Sequence, residues 1–238
     1  MTPLVSLLIL TYNRLGMVRL CLKAALGKTD LPFECLVWDN GSTDGTSEWL
    51  DTVQDPRLRV VHASGNLGFN GYALLAMLAR GEYLLEIDDD VIDLPEAYAS
   101  RMLQAFLRVP KLGYLSLHVV QDDRTDGAKM PSRHYRALDA GGGTVLEVGP
   151  VGGWCTMTPR AVYEAAGGFP FIPGQKFMME DAEYGRKVAA LGRLGAILSG
   201  VRCYHATGPA FNAAYPEYTK EKYSDYARYI ERLKGGPP

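Results

Sequence analysis

Three adjacent carboxylates, Asp88, Asp89 and Asp90, follow directly on the apolar stretch 83–87. Adjacent acids repel one another and disfavour strand structure, so the fold by itself gives no reason to place them there. Carboxylate oxygens suit hard divalent cations, which can bridge a protein to phosphate oxygens. The cluster therefore predicts a divalent-metal site for a phosphorylated ligand, with a solvated acidic turn as the alternative.

The segments that must position this cluster alternate between strand-like and helix-like patterns. Short apolar runs with little polar alternation are typical of strands buried on both faces. Three such runs occur, at 4–10, 33–38 and 83–87. Helix-spaced apolar residues lie between them, at 15–26, 47–53 and 71–78. This order predicts a β-α-β-α-β unit with parallel strands.

Polar clusters follow each of the three predicted strands. They are residues 11–14, 39–42 and 88–90. Because an open α/β sheet binds its ligand at the carboxyl ends of its strands, we expect the three clusters to converge on one rim. That convergence predicts a binding site before any family is considered.

Five ordered motifs resemble those of the GT-A glycosyltransferases, and within them the large inverting family 2, whose donors are nucleotide-diphosphosugars. The motifs are VSLLILTYNR at 5–14, VWDNGSTDGT at 37–46, NLGFNG at 66–71, the triple Asp, and MEDAEYGR at 179–186. Together they extend the resemblance over about residues 4–205. The resemblance implies an α/β fold of the GT-A (Rossmann-like) type, with an open mixed sheet flanked by helices in a single compact domain.

The resemblance divides this domain, residues 1–238, into two halves. About 1–92 is expected to bind the nucleotide-sugar, and about 93–238 to bind the acceptor and to carry a C-terminal helix. Patterns in the second half predict helices at 96–108, 182–191 and 217–233, strands at 113–119, 154–157 and 201–204, a loop at 121–132 and a hairpin or loop across 133–148. The last helix is amphipathic and either packs on the domain or touches a membrane.

The resemblance implies donor contacts from the rim clusters and from the small-residue loop 66–70. Asp39 is expected to accept a hydrogen bond from the imide of a uracil or thymine ring, and Asp88 to contact the ribose or a metal-bound water. From the residues alone, Asp39 could instead satisfy N–H groups of its own turn, and Arg14 could begin a helix rather than bind a phosphate. Asn70 could cap the helix after its loop. The full predicted donor set is Thr11, Tyr12, Asn13, Arg14, Asp39, Asn66, Gly68, Asp88 and Asp89.

The resemblance assigns direct metal contact to Asp90. Several family members also have a histidine metal ligand where this chain has His205, at the end of the predicted strand 201–204. Carboxylate and imidazole ligands suit Mn²⁺, with Mg²⁺ as the alternative. A lone histidine is ordinarily structural, so both roles of His205 stay open.

The acidic pair Glu180 and Asp181 lies where the resemblance implies a catalytic base, and Asp181 is the predicted base. An alcohol needs a carboxylate to take its proton as its oxygen attacks the anomeric carbon, and one in-line displacement inverts that carbon. Asp181 could also cap the following helix. Glu180 and Trp154 are predicted to contact the sugar or the acceptor, with core packing as the alternative for Trp154.

Composition bounds the class and location of the protein. With 238 residues, 47% of them hydrophobic, the chain can bury a sizeable core. A net charge of −2 gives no electrostatic footprint for nucleic acid. The four cysteines lack C-x-x-C spacing, and no apolar run approaches the roughly 18 residues of a membrane span. We therefore expect a cytoplasmic protein without a transmembrane segment, and peripheral membrane contact stays open.

Taken together, the motifs predict a metal-dependent, inverting transferase that moves a sugar from a nucleotide-diphosphosugar, UDP-linked by preference, to a glycan, lipid-linked or other acceptor hydroxyl. No Q-x-x-R-W motif follows Asp181, which favours single transfer over processive synthesis. Two alternatives remain. One is a non-catalytic nucleotide-sugar or glycan-binding module. The other is a sugar-phosphate nucleotidyltransferase, which would need a glycine-rich basic loop where this chain has residues 11–14.

Overall fold

The computed structural model describes residues 2–177 and 179–234, whose strands join in one mixed sheet flanked by helices. The predicted α/β class with an open mixed sheet is therefore confirmed. The strands are β1 Val5–Thr11, β2 Phe33–Asp39, β3 Leu58–His62, β4 Tyr83–Asp88, β5 Val91–Asp93, β6 Leu112–Val119, β7 Arg136–Asp139, β8 Val145–Val148, β9 Cys155–Pro159 and β10 Leu194–His205. The helices are α1 Leu15–Lys28, α2 Thr46–Thr52, α3 Asn70–Leu78, α4 Tyr98–Arg108, α5 Arg160–Ala165, α6 Glu180–Ala190, α7 Pro209–Asn212 and α8 Pro216–Lys234.

The order of the strands brings the acidic cluster and His205 together. Strands β3, β2, β1 and β4 lie side by side and parallel, so their carboxyl ends share one rim. Strand β9 pairs antiparallel with both β4 and β6, and β10 lies between β6 and the β7–β8 hairpin. Strand β5 begins directly after Asp90 and pairs with the end of β10, where Val91 lies opposite His205.

The core covers both faces of the sheet because successive side chains of a strand point to opposite sides. In β1, Val5, Leu7 and Ile9 join a buried cluster that includes residues of α1, α2 and α4. Leu8 joins a second buried cluster with residues of α3, α5 and α6. The parallel strands are therefore held from both faces, as their uninterrupted apolar sequences predict.

Most predicted elements are present with shifted ends, and the differences have local causes. Helix α4 begins two residues after the predicted start because Ala97 adopts a left-handed conformation, with φ 54°. Strand β9 begins after Trp154, and β10 begins at Leu194, well before the predicted 201–204. Strands β3 and β5 were not predicted. The first is a half-exposed edge strand with mixed polarity, and the second has only three residues.

Helix α8 packs on the domain, as one of the two alternatives for the segment 217–233 predicted. The carboxylate of Asp225 is fully buried and accepts hydrogen bonds from the backbone N–H groups of Lys176 and Phe177, both at 2.9 Å. Within the part of the chain that the structure describes, no helix is long and apolar enough to cross a membrane.

Asn70 joins the two halves of the chain. Its amide nitrogen donates to the carbonyls of Leu67 and Gln175, both at 2.9 Å, and to that of Ile172 at 3.2 Å. Its amide oxygen accepts from the Ile172 N–H at 2.6 Å. The side chain does not cap α3, so the capping role considered for Asn70 is wrong. It ties the first half of the sheet to the loop before α6 instead.

We predict that Asn70→Ala lowers the free energy of unfolding by about 3 kcal/mol, because several buried backbone groups lose their partner. The melting temperature should fall by roughly 6–12 °C. The matched control is Asn212→Ala. Within the described ranges, the side-chain amide of Asn212 donates only to the Tyr223 hydroxyl, at 3.4 Å. Equal melting of the two variants would contradict the linking role of Asn70.

Candidate active site

A cavity of about 630 Å³ opens at the carboxyl ends of β1, β4 and β10 and is completed by α6 and α8. Its walls bring together most of the residues predicted from the sequence. Those in the lining are Thr11, Tyr12, Arg14, Asn66, Gly68, Asp88, Asp89, Asp90, Trp154, Glu180, Asp181 and His205. Asn13 and Asp39 are the predicted site residues that lie outside it.

Asp88, Asp90 and His205 form a group with the geometry of a metal site. One carboxylate oxygen of each aspartate and one ring nitrogen of the histidine lie within 4.8 Å of one another. The imidazole Nε2 is 3.2 Å from Asp90 Oδ1 and 3.8 Å from Asp88 Oδ2. The end of β4, the turn that follows it and the end of β10 thus supply two oxygens and one nitrogen within 4.8 Å of one another.

The hydrogen bonding of this group fits a cation. The Gly127 carbonyl, 3.0 Å from His205 Nδ1, can only accept, so Nδ1 carries the proton and Nε2 keeps its lone pair for a metal. Asp90 Oδ1 is buried and accepts no well-oriented hydrogen bond from any described residue, although Nε2 is close. A divalent cation between these atoms would satisfy both.

Charges around the group set its protonation. Burial alone would raise the pKa of Asp90, but Arg14 and His205 lower it far below its usual range. Burial alone would lower the pKa of His205, and the neighbouring Asp90 and Asp88 raise it instead. Asp90 is therefore ionised at neutral pH, and a bound cation would compete with a proton for His205.

Arg14 clamps the acidic turn. Its guanidinium contacts both oxygens of Asp89 through Nε and Nη2, and Nη1 donates to Asp90 Oδ2 at 2.8 Å. The guanidinium carbon lies 4.2 Å from the ring centroid of Tyr218 on α8. Arg14 immediately precedes α1, as its alternative interpretation held. Its contact with a phosphate, and that of Asp89 with the donor, stay predictions.

Asp181 and Glu180 begin α6 and face the cavity. Asp181 Oδ1 accepts the Ala182 N–H at 2.6 Å, but Met179 occupies the N-cap position of α6, so the capping role considered for Asp181 is wrong. Burial raises the pKa of Asp181. Burial, with the charge of Asp181, raises the pKa of Glu180 to about 8, and Glu180 Oε2 is buried without a partner among the described residues. Proton acceptors with raised pKa values thus lie in the same cavity as the metal group.

Asp39 and Asn13 organise the rim loops rather than line the cavity. The fully buried Asp39 carboxylate accepts hydrogen bonds from the Ser42 N–H at 3.0 Å, from the Ser47 hydroxyl and, at 3.0 Å, from His62 Nδ1. Asn13 Oδ1 accepts the backbone N–H of residue 43 at 2.7 Å. The local-turn alternative for Asp39 describes its contacts in this structure, and its contact with a base stays a prediction.

The loop 66–70 is pressed against the segment before α6. Gly68 has φ +59°, and a Cβ there would lie 2.1 Å from the carbonyl oxygen of Lys176, so only glycine fits. Asn66 Oδ1 accepts the Gly68 N–H at 2.8 Å, while its Nδ2 is buried with no partner within the described chain. An unsatisfied donor in the cavity wall is suited to a polar ligand.

Trp154 has features of both roles considered for it, contact with a ligand and packing in the core. It is 4% exposed, and its indole N–H donates to the Leu117 carbonyl at 2.9 Å, as a core residue would. Its ring also lines the cavity and lies 5.9 Å from the His205 ring, centroid to centroid. Trp154 therefore packs behind the histidine and presents only a small surface to a ligand.

Several residues that line the cavity were not predicted from the sequence. Tyr72 on α3 donates to Asp88 Oδ1 at 3.1 Å, and Asn40 Oδ1 accepts the Trp38 indole N–H at 3.0 Å. Tyr218 and Lys222 lie four residues apart on α8, a spacing that marks one helix face and was a usable signal. The other unpredicted lining residues include Ala128, Met130, Tyr135, Pro150, Val151, Lys176 and Phe177.

Glu86 is a buried carboxyl group beneath this cavity. It is 2% exposed, its Oε2 accepts the Tyr114 hydroxyl at 3.3 Å, and its Oε1 has no partner in the described structure. Burial raises its pKa well above the usual value, and Asp88, Glu180 and Asp181 raise it further. Glu86 therefore keeps its proton at pH values where an exposed glutamate has lost it.

The chain is similar to known proteins both in sequence and in fold. The profile described as "Glycosyl transferase family 2" matches residues 6–164, about two thirds of the chain. Chondroitin synthase of Pasteurella multocida (strain Pm70) is 30% identical over 109 residues, which cover 44% of this chain and 11% of that protein.

Solved structures share the fold. The mannosyltransferase PcManGT from Pyrobaculum calidifontis, in complex with GDP-Man and Mn²⁺, has a TM-score of 0.62 at 22% identity, covering 90% of this chain and 60% of that one. S. aureus TarS in complex with UDP has a TM-score of 0.64 at 19% identity, covering 86% and 61%. The chain spans less than two thirds of the length of each of these three proteins.

We predict that the Glu86→Gln variant has a higher melting temperature than the wild type at about pH 8. The difference between the two melting temperatures should become smaller towards about pH 5. A carboxyl group with a raised folded-state pKa favours folding below its unfolded pKa, and the stabilisation is lost as the pH rises towards the folded value. Glutamine cannot ionise and avoids that loss. Melting curves in chelator test this, with the exposed Glu82→Gln as control. A difference independent of pH would contradict the assignment.

Proposed function

The chain belongs to glycosyltransferase family 2, and on that premise we propose that it moves a sugar from a nucleotide-diphosphosugar to an acceptor hydroxyl. The proposed reaction uses a divalent cation, inverts the anomeric carbon and is not processive. One observation carries this proposal. The Asp88, Asp90 and His205 group and the carboxylate of Asp181 line the same cavity at the rim of the sheet.

Three ligand atoms support a divalent cation in this cavity. Asp88 and Asp90 would each supply an oxygen and His205 its Nε2, a mixed set that suits Mn²⁺, with Mg²⁺ as the alternative. The similar mannosyltransferase was solved with Mn²⁺. When bound, the cation would offset the negative charge that builds on the leaving β-phosphate. Gly127 keeps His205 in the tautomer that can bind it.

The donor would enter with its nucleoside towards β1 and the loop 66–70. Thr11 and Tyr12 line this side of the cavity, and the free Nδ2 of Asn66 can donate a hydrogen bond to the ribose or the base. The proteins with similar structures were solved with UDP in one case and GDP-Man in another. We propose UDP for this chain because a carboxylate at Asp39 can accept the imide proton of uracil. That contact requires Asp39 to exchange one of its present partners for the base.

Asp181 would act as the base. Its carboxylate faces the cavity, and burial raises its pKa, which makes it a stronger proton acceptor than an exposed aspartate. The proton passes from the acceptor hydroxyl to Asp181 as the oxygen bonds to the anomeric carbon and the bond to the diphosphate breaks. A single displacement of this kind converts an α-linked donor into a β-linked product.

The acceptor would bind on the side formed by the second half, about residues 93–238. Met130, Tyr135, Pro150 and Val151 give that wall an apolar surface, and Glu180 offers a carboxyl group beside Asp181. An open wall of this kind admits the end of a glycan or a lipid-linked acceptor. The absence of a Q-x-x-R-W motif after Asp181 supports the transfer of one sugar at a time.

Release of nucleoside diphosphate from a panel of sugar nucleotides, with water as the acceptor, tests this function. The wild type should turn over at least one donor in Mn²⁺ and none in chelator. Asp181→Asn should bind the same nucleoside diphosphate with unchanged affinity and lose roughly 10²–10⁴-fold in turnover, because proton transfer contributes about that much.

The matched control is Glu183→Gln in the same helix. Among the described residues Glu183 forms an ion pair only with the exposed Arg186, so the turnover of this variant should stay at the wild-type level. Full turnover by Asp181→Asn would remove Asp181 as the base. No turnover of any donor by the wild type would favour a non-catalytic binding module.

A further inference from the structure

Some of the positively charged side chains that line the cavity form ion pairs with carboxylates, and one does not. Of its three lysine and arginine side chains, Arg14 is held by Asp89 and Asp90, and Lys176 Nζ binds Glu221 Oε1 at 2.7 Å. Lys222 lines the same cavity but has no carboxylate within 4.0 Å among the described residues. An ammonium group without an ion-pair partner is therefore available to an anionic ligand.

Contacts with the rest of the domain anchor helix α8 one turn before and one turn after Lys222. One turn earlier, the Tyr218 ring lies against the guanidinium of Arg14, at 4.2 Å. One turn later, the buried carboxylate of Asp225 accepts the N–H groups of Lys176 and Phe177. Residues three or four apart share one face of a helix, so these anchors fix the face that carries Lys222 towards the cavity.

The surroundings of Lys222 favour a phosphate ligand over a protein carboxylate. Its charge acts on Asp88, Asp90 and Glu180 across the cavity, yet it pairs with none of them. A cation bound to Asp88 and Asp90 would occupy their free oxygens and leave Lys222 to face whatever anion binds that cation. An ammonium with three donors suits a diphosphate as a point charge.

We propose that Lys222 binds the diphosphate of the nucleotide-sugar donor as a second positive group beside the metal site. This inference rests on the proposed function and adds a residue from the C-terminal helix to it. Tyr218 and Asp225 act as positioning residues that keep α8 against the cavity. The leaving diphosphate would then be held from two elements distant in sequence, β4 and α8.

Calorimetric titration of UDP, GDP, UMP and GMP in Mn²⁺ tests this role in three variants. Lys222→Met should weaken nucleoside diphosphate binding about tenfold or more and monophosphate binding much less, because a charge-assisted contact to the second phosphate is lost. Lys222→Arg should retain most of the affinity. The control Lys220→Met removes an exposed lysine of the same helix outside the cavity and should bind as the wild type does.

Each outcome bears on a different claim. Equal diphosphate affinity in Lys222→Met and wild type would overturn the role of Lys222 and leave the proposed function standing. An equal loss in Lys220→Met would also overturn it, because any surface charge would then suffice. If the wild type binds no nucleoside diphosphate, the proposed function fails and this inference fails with it. Unliganded melting curves check that all variants are folded.

Discussion

The contact between Arg14 and the acidic turn is the interaction on which the cavity depends. Three adjacent aspartates at the end of a buried strand would repel one another without a nearby cation. Arg14 is only 12% exposed and takes both oxygens of Asp89 and one oxygen of Asp90. Asp88 Oδ2 and Asp90 Oδ1 are left facing His205, while Asp88 Oδ1 accepts the Tyr72 hydroxyl. The Arg14 guanidinium therefore offsets the repulsion between the carboxylates of residues 88–90. Because it binds Asp89 and one oxygen of Asp90, it also determines which carboxylate oxygens remain available to a cation.

A second constraint joins the two halves of the chain around the cavity. The segment 172–177 receives hydrogen bonds from Asn70 on one side and binds Asp225 of α8 on the other. The same segment leads into Glu180 and Asp181 at the start of α6. These contacts thus fix the position of Asp181, the proposed base, relative to the loop 66–70, although the two are more than a hundred residues apart in sequence. Rigid positioning matters here because small displacements of reacting groups are costly in rate.

The sequence predicted the part of the site that follows from regular structure. Asp88 and His205 end strands β4 and β10, Asp90 lies in the turn directly after β4, and the pairing of the strands brings the three together. The sequence left two roles open for Asp39, a base contact or the N–H groups of its own turn, because the choice depends on the left-handed turn at Gly41 and on the side chain of His62. Lys222 was also not predicted, because the tertiary contact of Asp225 determines which face of α8 is turned towards the cavity. Strand β3 was missed because its polar edge carries little periodic signal.

The central claim is that Asp88, Asp90 and His205 hold a divalent cation against the donor diphosphate. Anomalous diffraction at the manganese edge, from crystals grown with Mn²⁺ and a bound nucleoside diphosphate, tests it most directly. The account predicts one anomalous peak in contact with both aspartates, His205 Nε2 and the diphosphate, with Arg14 still on Asp89. A nucleotide bound in the cavity with no peak there, or a peak held by other residues, would contradict it.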